Sequence, residues 1–341
     1  MNNWKSVLKS DPTDWLLEED NPSVRYFTLI EILDMPQSSP EVKKAKAAIM
    51  TAGVVPLILA KQEQGGYWGV PEDFYIRAKY TGTVWTLLVL AELGADGKDK
   101  RIKKACAFIP ERSQDRQSGG FAYTGSAQNG GHHSKVIPCL TGNMLWSLIR
   151  LGYLDDPRVQ RGIDWITTYQ RFDDAVAEAP QGWLYDKYEQ CWGKHTCHMG
   201  VVKSLKALAE IPPDKRSDAV RGTIEKAAEY LLRHHIYKRS HDLSLVSKKG
   251  WLQFGFPLMW NIDALEILGI LTSLGYKDER MQEAVDLVIS KQDAQGRWLL
   301  ETTFNGRFQV NIERKGKPSK WVTLHALGAL KQYYNKAGKE S

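Results

Sequence analysis

The stretch Cys139-Leu-Thr-Gly-Asn-Met-Leu-Trp-Ser-Leu-Ile-Arg-Leu-Gly152 decides how this chain folds. Its apolar residues recur every third or fourth position, which predicts a helix with one buried face. Gly152 is placed to end that helix in a left-handed cap. Asp156-Pro157 then begins a second helix, with Asp as the N-cap and Pro in the first turn. The stretch therefore predicts a helical hairpin that ends near Gln170.

The same hairpin recurs along the chain. Equivalent starts are separated by about 60 residues, more than the roughly 33 to 47 residues of common open solenoids. This period favours a closed ring over an open solenoid. We predict an all-α fold, an (α/α)6 toroid of about six hairpins in a single domain, residues 1–341. The last copy lacks an outer helix, so we expect the N-terminal segment from Trp4 to take that place. The repeats start near Asn21, Tyr80, Cys139, Cys197, Trp260 and Trp321.

A second pattern accompanies the repeat. Two segments share the spacing Gln-x3-Gly-x-Trp, and two others are looser versions of it. The strict copies are Gln62/Gly66/Trp68 and Gln292/Gly296/Trp298, and the looser ones are Gln117 to Phe121 and Gln170 with Gly182-Trp183.

This spacing resembles the QW motif of squalene and oxidosqualene cyclases, in which Gln and Trp join adjacent hairpins. The resemblance covers almost the whole chain at the level of architecture. It implies the superfamily of terpenoid cyclases and protein prenyltransferases, and no particular member or reaction.

The overall composition indicates which partners and which cellular compartment to expect. The 341 residues are 43% hydrophobic and 25% charged with a net charge of +6, typical of a globular protein. No basic stripe with interleaved aromatic residues is present, so nucleic acid is not an expected partner. The sequence contains no apolar run long enough for a transmembrane helix and no signal peptide, so we expect a cytoplasmic protein.

Cysteine and histidine residues cluster at the predicted starts of two neighbouring inner helices. Three thiols and one imidazole would form a zinc site of the Cys3His type. By resemblance, protein prenyltransferases hold a catalytic zinc at the mouth of this toroid. A fourth protein ligand would make the zinc structural, whereas three would leave a catalytic position open. Metal-free thiol chemistry and simple packing remain alternatives. The candidate ligands are Cys139, Cys191, Cys197, His133, His195 and His198.

Asp263 is the candidate catalytic residue, because it lies at the start of an otherwise apolar inner helix. A buried carboxylate there would have a raised pKa and could act as a general acid or base. The alternative interpretation is a helix cap. The chain has no Asp-x-Asp-Asp acid of the protonating triterpene cyclases, and no Asp-Asp-x-x-Asp motif for magnesium and a diphosphate.

Aromatic residues supply the expected substrate-binding surface. The segment from Gly250 to Trp260 is the most apolar loop in the chain. It is suited to a cavity wall, although peripheral membrane contact and ordinary packing are alternatives. The candidate substrate-binding residues are Tyr80, Trp251, Phe254, Phe256, Trp260 and Trp321.

Three functions follow from these features. The leading hypothesis is an enzyme that acts on an apolar, isoprenoid-like molecule in a central cavity, with zinc as the expected cofactor. The second is a carbohydrate-active lyase or hydrolase, which would need paired carboxylates across a cleft. The third is a binding or scaffold toroid whose zinc only joins two hairpins. The sequence leaves open whether a partner chain exists.

Overall fold

A computed structural model describes residues 4–77, 79–176, 178–186 and 188–335. Its α-helices, in chain order, are α1 Thr13–Leu16, α2 Pro22–Phe27, α3 Pro40–Ile49, α4 Val54–Leu59, α5 Thr83–Glu92, α6 Lys100–Ser113, α7 Pro138–Arg150, α8 Pro157–Tyr169, α9 Glu189–Trp192, α10 His198–Ala209, α11 Asp218–Arg233, α12 Ala264–Ser273, α13 Gln282–Ser290 and α14 Lys320–Asn335.

The helices form two concentric layers. α2, α5, α7, α10, α12 and α14 form the inner ring, in which helices from successive hairpins are neighbours. α14 packs on α2 and on the π-helical turn Thr28–Ile32 that continues it. At the other side of α2, a Cβ atom on Gly94 would lie 2.9 Å from Phe27, so α2 also reaches the end of α5. The predicted all-α toroid is confirmed.

Local signals set the helix boundaries as predicted. Asp156 caps α8 by accepting a hydrogen bond from the Arg158 amide, and Pro157 fills the first position. Gly152 ends α7 with φ of 90°. Its amide donates to Ile149 and the next amide donates to Leu148, so the last carbonyls of the helix are satisfied.

The two layers differ in how they are buried. α5 is buried along nearly its whole length, because it lies between the lumen and the outer layer. α8 and α11 bury one face and expose the other, which is the pattern of a surface helix. The buried side chains form one continuous core around the ring.

The glutamine of the first strict copy joins adjacent hairpins, whereas the tryptophans bond within their own hairpin. The Gln62 amide donates to the Arg101 carbonyl at the start of the next outer helix, at 2.9 Å. The Trp68 indole donates back to Ile58 at 2.9 Å, and the Trp298 indole to Val288 at 2.7 Å. Each indole therefore satisfies a carbonyl near the C-terminal end of the preceding outer helix.

The two looser copies depart from the predicted motif. Gln114, not Gln117, occupies the equivalent position, because its amide donates to the Arg158 carbonyl at 2.6 Å whereas Gln117 is exposed. Gln170 donates to Arg171 in its own loop and accepts from Ser204. That copy does not join two outer helices.

The N-terminal segment closes the ring as expected. The Gln292 amide donates to the Val7 carbonyl at 3.0 Å, and its oxygen accepts from the Lys9 amide at 3.0 Å. The short 3-10 helix Trp4–Val7 and α1 both contact α14. The start of the chain therefore takes the place of the missing outer helix.

Short strands occur in the loops that enter the inner helices. β1 (Gly125–Ser126) pairs with β2 (Gly130–Gly131), and β3 (Lys238–Arg239) pairs with β4 (Asp242–Val246), both antiparallel. In the part of the chain that the structure describes, no helix is both long and apolar enough to cross a membrane.

Replacing Gln292 tests how the ring closes. Gln292→Ala removes two hydrogen bonds to the N-terminal segment from a buried position, so we expect the free energy of unfolding to fall by about 2 kcal/mol. Urea denaturation measures this, and hydrogen exchange should accelerate at residues 5–9. Gln295→Ala, three positions away and exposed, is the matched control. Equal stabilities of the two variants would contradict closure through Gln292.

Candidate functional site

The inner helices enclose a cavity of about 560 Å³ in the lumen of the ring. α12 and α14 line it along most of their length, whereas α5, α7 and α10 reach it near their C-terminal ends. The N-terminal halves of α7 and α10 pack too closely to leave space. A Cβ atom on Gly142 would lie 2.4 Å from the Lys203 carbonyl carbon. The exposed residues Pro212 and Pro213 line the opposite end and mark the mouth.

The apolar segment before α12 closes the N-terminal end of the lumen. Gly255, Phe256 and Leu258 line the cavity, in agreement with the interpretation of this segment as a cavity wall. Asn143 of α7 donates to the Met259 carbonyl at 3.3 Å and holds the segment across the ring.

An ion-pair network from three hairpins reaches the cavity. Lys203 of α10 donates to both carboxylate oxygens of Glu266 of α12, at 2.8 Å each. Lys206, one turn later, lies 3.0 Å from Glu266 and 3.0 Å from Glu92 of α5. The Lys203 and Glu266 side chains are only 1% and 7% exposed. The second oxygen of Glu92 is buried and has no hydrogen-bond partner in the described structure.

The network keeps Glu266 and Lys206 charged. Burial alone would raise the pKa of Glu266, but Lys203 and Lys206 outweigh it and hold that pKa below its usual value. Burial alone would lower the pKa of Lys206, but Glu266 and Glu92 outweigh it and raise that pKa. The cavity therefore presents a carboxylate and an ammonium group that are both charged at neutral pH.

A second ion pair lies nearer the mouth. Arg150 at the end of α7 donates to Glu210 at 3.1 Å, and its guanidinium lies 3.8 Å from Glu31 of the π-helical turn. The same guanidinium lies 5.0 Å from the centre of the Phe27 ring.

His325 of α14 is the imidazole of the cavity. Its side chain lines the cavity and is exposed to the solvent there. Burial lowers the pKa of His325 to about 4. The imidazole is therefore neutral at neutral pH and can accept a proton.

Aromatic side chains lie on two sides of the cavity. Trp321 and Phe256 stack with ring centres 4.3 Å apart, and His325 lies 5.9 Å from each. Trp146 lies on the other side with the Lys206 ammonium 4.1 Å from its ring centre. The cavity thus combines apolar ring surface with paired charges.

Of the six predicted substrate-binding residues, Phe256 and Trp321 line the cavity. The other four lie toward the closed N-terminal end. Tyr80 packs on Phe304 at 4.4 Å and accepts a hydrogen bond from the Trp260 indole. Trp251 packs on His198 at 4.6 Å, and the Lys291 ammonium lies 4.8 Å from the ring of the buried Phe254.

Asp263 is both a helix cap and part of the cavity wall. Its carboxylate accepts from the Glu266 amide at 2.8 Å and from the Gly255 amide at 3.1 Å. Burial raises the pKa of Asp263 to about 7, although both amides oppose the shift. The helix cap is therefore present, and the catalytic role of Asp263 stays a prediction.

Four residues of the site were not predicted from the sequence. Glu92, Lys206, Glu266 and His325 lie within or at the end of inner helices, whereas the predicted candidates lie at or before the starts of these helices. The signal was a charged or titratable residue on an otherwise apolar helix, as in Val201-Val-Lys-Ser-Leu-Lys206. Such a residue is rarely buried without a partner.

The three candidate zinc-binding thiols lie together, outside the cavity lining. Burial and Cys197 raise the pKa of Cys139, and Cys197 and burial raise that of Cys191, so the three thiols are neighbours. The Cys191 thiol lowers the pKa of Cys197 below its usual value, against the effect of burial.

The three candidate histidines are engaged elsewhere. His133 hydrogen-bonds Asp115 at 2.8 Å, and His195 hydrogen-bonds Asp174 at 3.1 Å. His198 hydrogen-bonds the Ile236 carbonyl at 3.2 Å. Among the described residues, no three or more His, Cys, Asp and Glu side chains are arranged to hold a metal ion. These donors do not fit zinc as they are placed, so the zinc site stays a prediction.

Comparison with known proteins yields structural likeness alone. The sequence matches no protein-family profile and no curated protein. Similar solved structures include the type II terpene cyclase MstE from Scytonema (14% identity, 91% of this chain and 87% of that one, TM-score 0.43). Others are cellobiose 2-epimerase from Bacillus thermoamylovorans (13%, 72% and 70%, 0.45) and a family 76 glycoside hydrolase from a bovine Bacteroides thetaiotaomicron strain (13%, 93% and 69%, 0.47). Likenesses this distant carry no argument about function.

Asp263→Asn tests the raised pKa of Asp263. The folded protein binds more protons than the unfolded chain between the unfolded value of 3.8 and about 7. The stability of the wild type relative to the variant should therefore be greatest at low pH and fall as pH rises to 7. From pH 5 to 8 the fall should be about 2 to 3 kcal/mol, measured by urea denaturation.

The difference in stability between wild type and Asp263→Asn reports the titration of Asp263 alone. Asn is also a good N-cap, and the cost of its amide facing Gly255 is independent of pH. The lowered pKa of His325 makes a contribution to stability that rises with pH. This contribution cancels in the comparison because both proteins retain His325. Asp214→Asn, at an exposed position, is the control. A constant difference between wild type and Asp263→Asn from pH 5 to 8 would show that the pKa is not raised.

Proposed function

We propose that this chain is an enzyme that carries out acid–base chemistry on a polyhydroxylated, carbohydrate-like molecule in the central cavity. The observation that carries the proposal is the pairing of Glu92 and Glu266 with Lys206 inside a cavity that also has aromatic walls. A carbohydrate-active toroid needs more than one carboxylate in its cavity, and Glu92 and Glu266 both line this one.

Desolvation favours a polar substrate. A hydrocarbon in the cavity would remove water from Glu92, Lys206 and Arg150 without replacing its hydrogen bonds, which is costly for charged groups. Hydroxyl groups both donate and accept, so a polyol can satisfy carboxylates and ammonium groups together. The C–H face of a sugar ring can contact Trp146, Phe256 or Trp321.

Each group has a role that follows from its charge. Neutral His325 accepts a proton from the substrate. Ionised Glu266 and the unpartnered oxygen of Glu92 accept hydrogen bonds from hydroxyl groups and fix the orientation of the substrate. Lys206 stabilises negative charge that develops on a substrate oxygen. Asp263, with its raised pKa, is the candidate proton donor. No step is routed through zinc.

The volume of the cavity supports a ligand over a scaffold. A ring filled by its own side chains would leave no room, whereas about 560 Å³ lies within the usual range for small-molecule sites. A disaccharide fits such a volume.

The second candidate is an enzyme acting on an isoprenoid-like molecule. The aromatic wall of Phe27, Trp146, Phe256 and Trp321 favours it, because aromatic faces and carboxylates both stabilise a cation. It would require the charges of the cavity to remain hydrated beside an apolar substrate.

Calorimetric titration with neutral disaccharides (cellobiose, maltose, mannobiose) and with farnesol separates these functions. We expect a disaccharide to bind with a dissociation constant of about 1 mM or below, within the usual range of enzyme affinities. Glu266→Gln should weaken binding about tenfold or more, through the loss of a charged partner. The disaccharide that binds is then incubated with the protein, and any product is identified by mass spectrometry.

His325→Ala tests the catalytic role. Loss of the base should lower turnover at least about 100-fold while the dissociation constant changes little. His241→Ala, at an exposed hairpin position, should retain full activity. Circular dichroism confirms that each variant folds. Binding of farnesol and of no disaccharide would favour the isoprenoid candidate, and binding of neither would favour the scaffold.

A further inference from the structure

A groove on the outside of the ring continues the mouth of the cavity. It lies between the outer helix α11 and the loop that follows α12, and its volume is about 240 Å³. Arg216, on the connection from α10 to α11, lines both the groove and the cavity. Ser273 at the end of α12 lines the cavity, and the next residue, Leu274, lines the groove. The two spaces therefore meet at the ends of two neighbouring inner helices.

The lining of the groove combines an aromatic ring with charged groups. Tyr276 supplies the ring and is partly exposed. Arg216 and Arg221 supply hydrogen-bond donors, and Glu225, which is exposed, supplies acceptors. An aromatic face can contact the C–H face of a sugar ring while charged groups bind its hydroxyl groups. The lining is therefore of the same chemical kind as that of the cavity.

Arg216 is held in place at the junction of groove and cavity. Its guanidinium donates to the Ile211 carbonyl at 2.9 Å and to the Ala209 carbonyl at 3.0 Å, at the C-terminal end of α10. A guanidinium group has five N–H donors, so these two bonds leave others for a ligand. Arg216 therefore presents fixed donors beside Pro212 and Pro213, where the cavity opens.

The size of the groove suits part of a ligand better than a whole one. Small-molecule sites usually enclose about 300 to 1,000 Å³. The cavity lies within this range at about 560 Å³, whereas the groove lies below it at about 240 Å³. A linear molecule that fills the cavity can leave through the mouth and continue along the groove.

We propose that the groove is a subsite for a further sugar residue of a linear oligosaccharide whose other end lies in the cavity. This inference rests on the proposed function, because it needs a carbohydrate in the lumen. The further sugar ring packs on Tyr276, and its hydroxyl groups bind Arg216, Arg221 and Glu225. The preferred substrate is therefore longer than a disaccharide.

A second groove on the outer layer provides a matched comparison. Its volume is about 370 Å³, and its lining also combines aromatic rings with charged groups: Tyr67, Phe108, Glu111 and Arg112. Among the described residues, it shares none of its lining with the cavity. Composition alone would not distinguish the two grooves, whereas continuity with the cavity favours the one at Tyr276.

Calorimetric titration with cellotriose, maltotriose and mannotriose, each beside its disaccharide, tests the subsite. We expect the trisaccharide to bind at least about tenfold more tightly than the disaccharide, through one ring contact and hydrogen bonds to charged groups. Tyr276→Ala should remove most of this gain, whereas Tyr276→Phe, which keeps the ring, should retain it. Tyr67→Ala, in the second groove, should also retain it. Circular dichroism confirms that each variant folds.

The outcomes separate the subsite from the proposed function. Binding of a disaccharide with no gain for its trisaccharide would overturn the subsite and leave the proposed function in place. A gain that survives Tyr276→Ala would show that the third sugar lies elsewhere and would also overturn the subsite. Failure of every saccharide to bind would overturn the proposed function and the subsite with it. The comparison of di- and trisaccharide in the wild type does not depend on how any variant folds.

Discussion

Two lysines of α10, of which Lys206 lines the cavity, are paired with carboxylates, and the rest of the site depends on this pairing. A buried ammonium group is tolerated only beside carboxylates, and Glu266 of α12 and Glu92 of α5 supply them. The network therefore ties three hairpins together and fixes the rotation of α10 about its axis. Removal of one partner from such a buried network typically costs about 3 to 5 kcal/mol. The same charges keep the cavity polar in spite of its aromatic walls.

Local sequence patterns predicted the ring because the ring is built from local signals. The caps at Asp156 and Gly152 act within a few residues, and the repeat period reports the length of each hairpin. Closure by the N-terminal segment also followed, since a missing outer helix leaves an apolar face uncovered. The predicted motif residue was Gln117, but Gln114 occupies that position, which shows where prediction from local patterns fails. An extra residue before Phe121 shifts the motif, and spacing alone does not reveal which glutamine reaches the next helix.

The site was harder to predict because its partners come from different repeats. Lys206 can be recognised as unusual within its helix, but the carboxylate that it meets depends on how separate hairpins are rotated against one another. His325 carries no motif, and its low pKa arises from the protein that surrounds it. The candidate histidines near the thiols were close in sequence, yet each found a nearer hydrogen-bond partner. Proximity along the chain was a poor guide to convergence in space.

The two ends of the ring differ in how closely their helices pack. Close packing of α7 and α10 at Gly142 closes one end, where Cys139 and Cys197 lie, and the divergence of the helices toward their C-terminal ends opens the other. The cysteines do not line the cavity, so the proposed proton transfer does not involve them. Asp263 lies between the two regions, because it caps α12 while its carboxylate reaches the cavity wall.

A crystal structure with a bound disaccharide tests the central claim most directly. We predict a sugar ring against the wall formed by Trp146 or Trp321, with hydroxyl groups hydrogen-bonded to Glu92, Glu266 or Lys206. The His325 imidazole should lie within about 3.5 Å of a substrate C–H or O–H group. A sugar bound outside the lumen, or a cavity that accepts a hydrocarbon chain and excludes the sugar, would contradict the account.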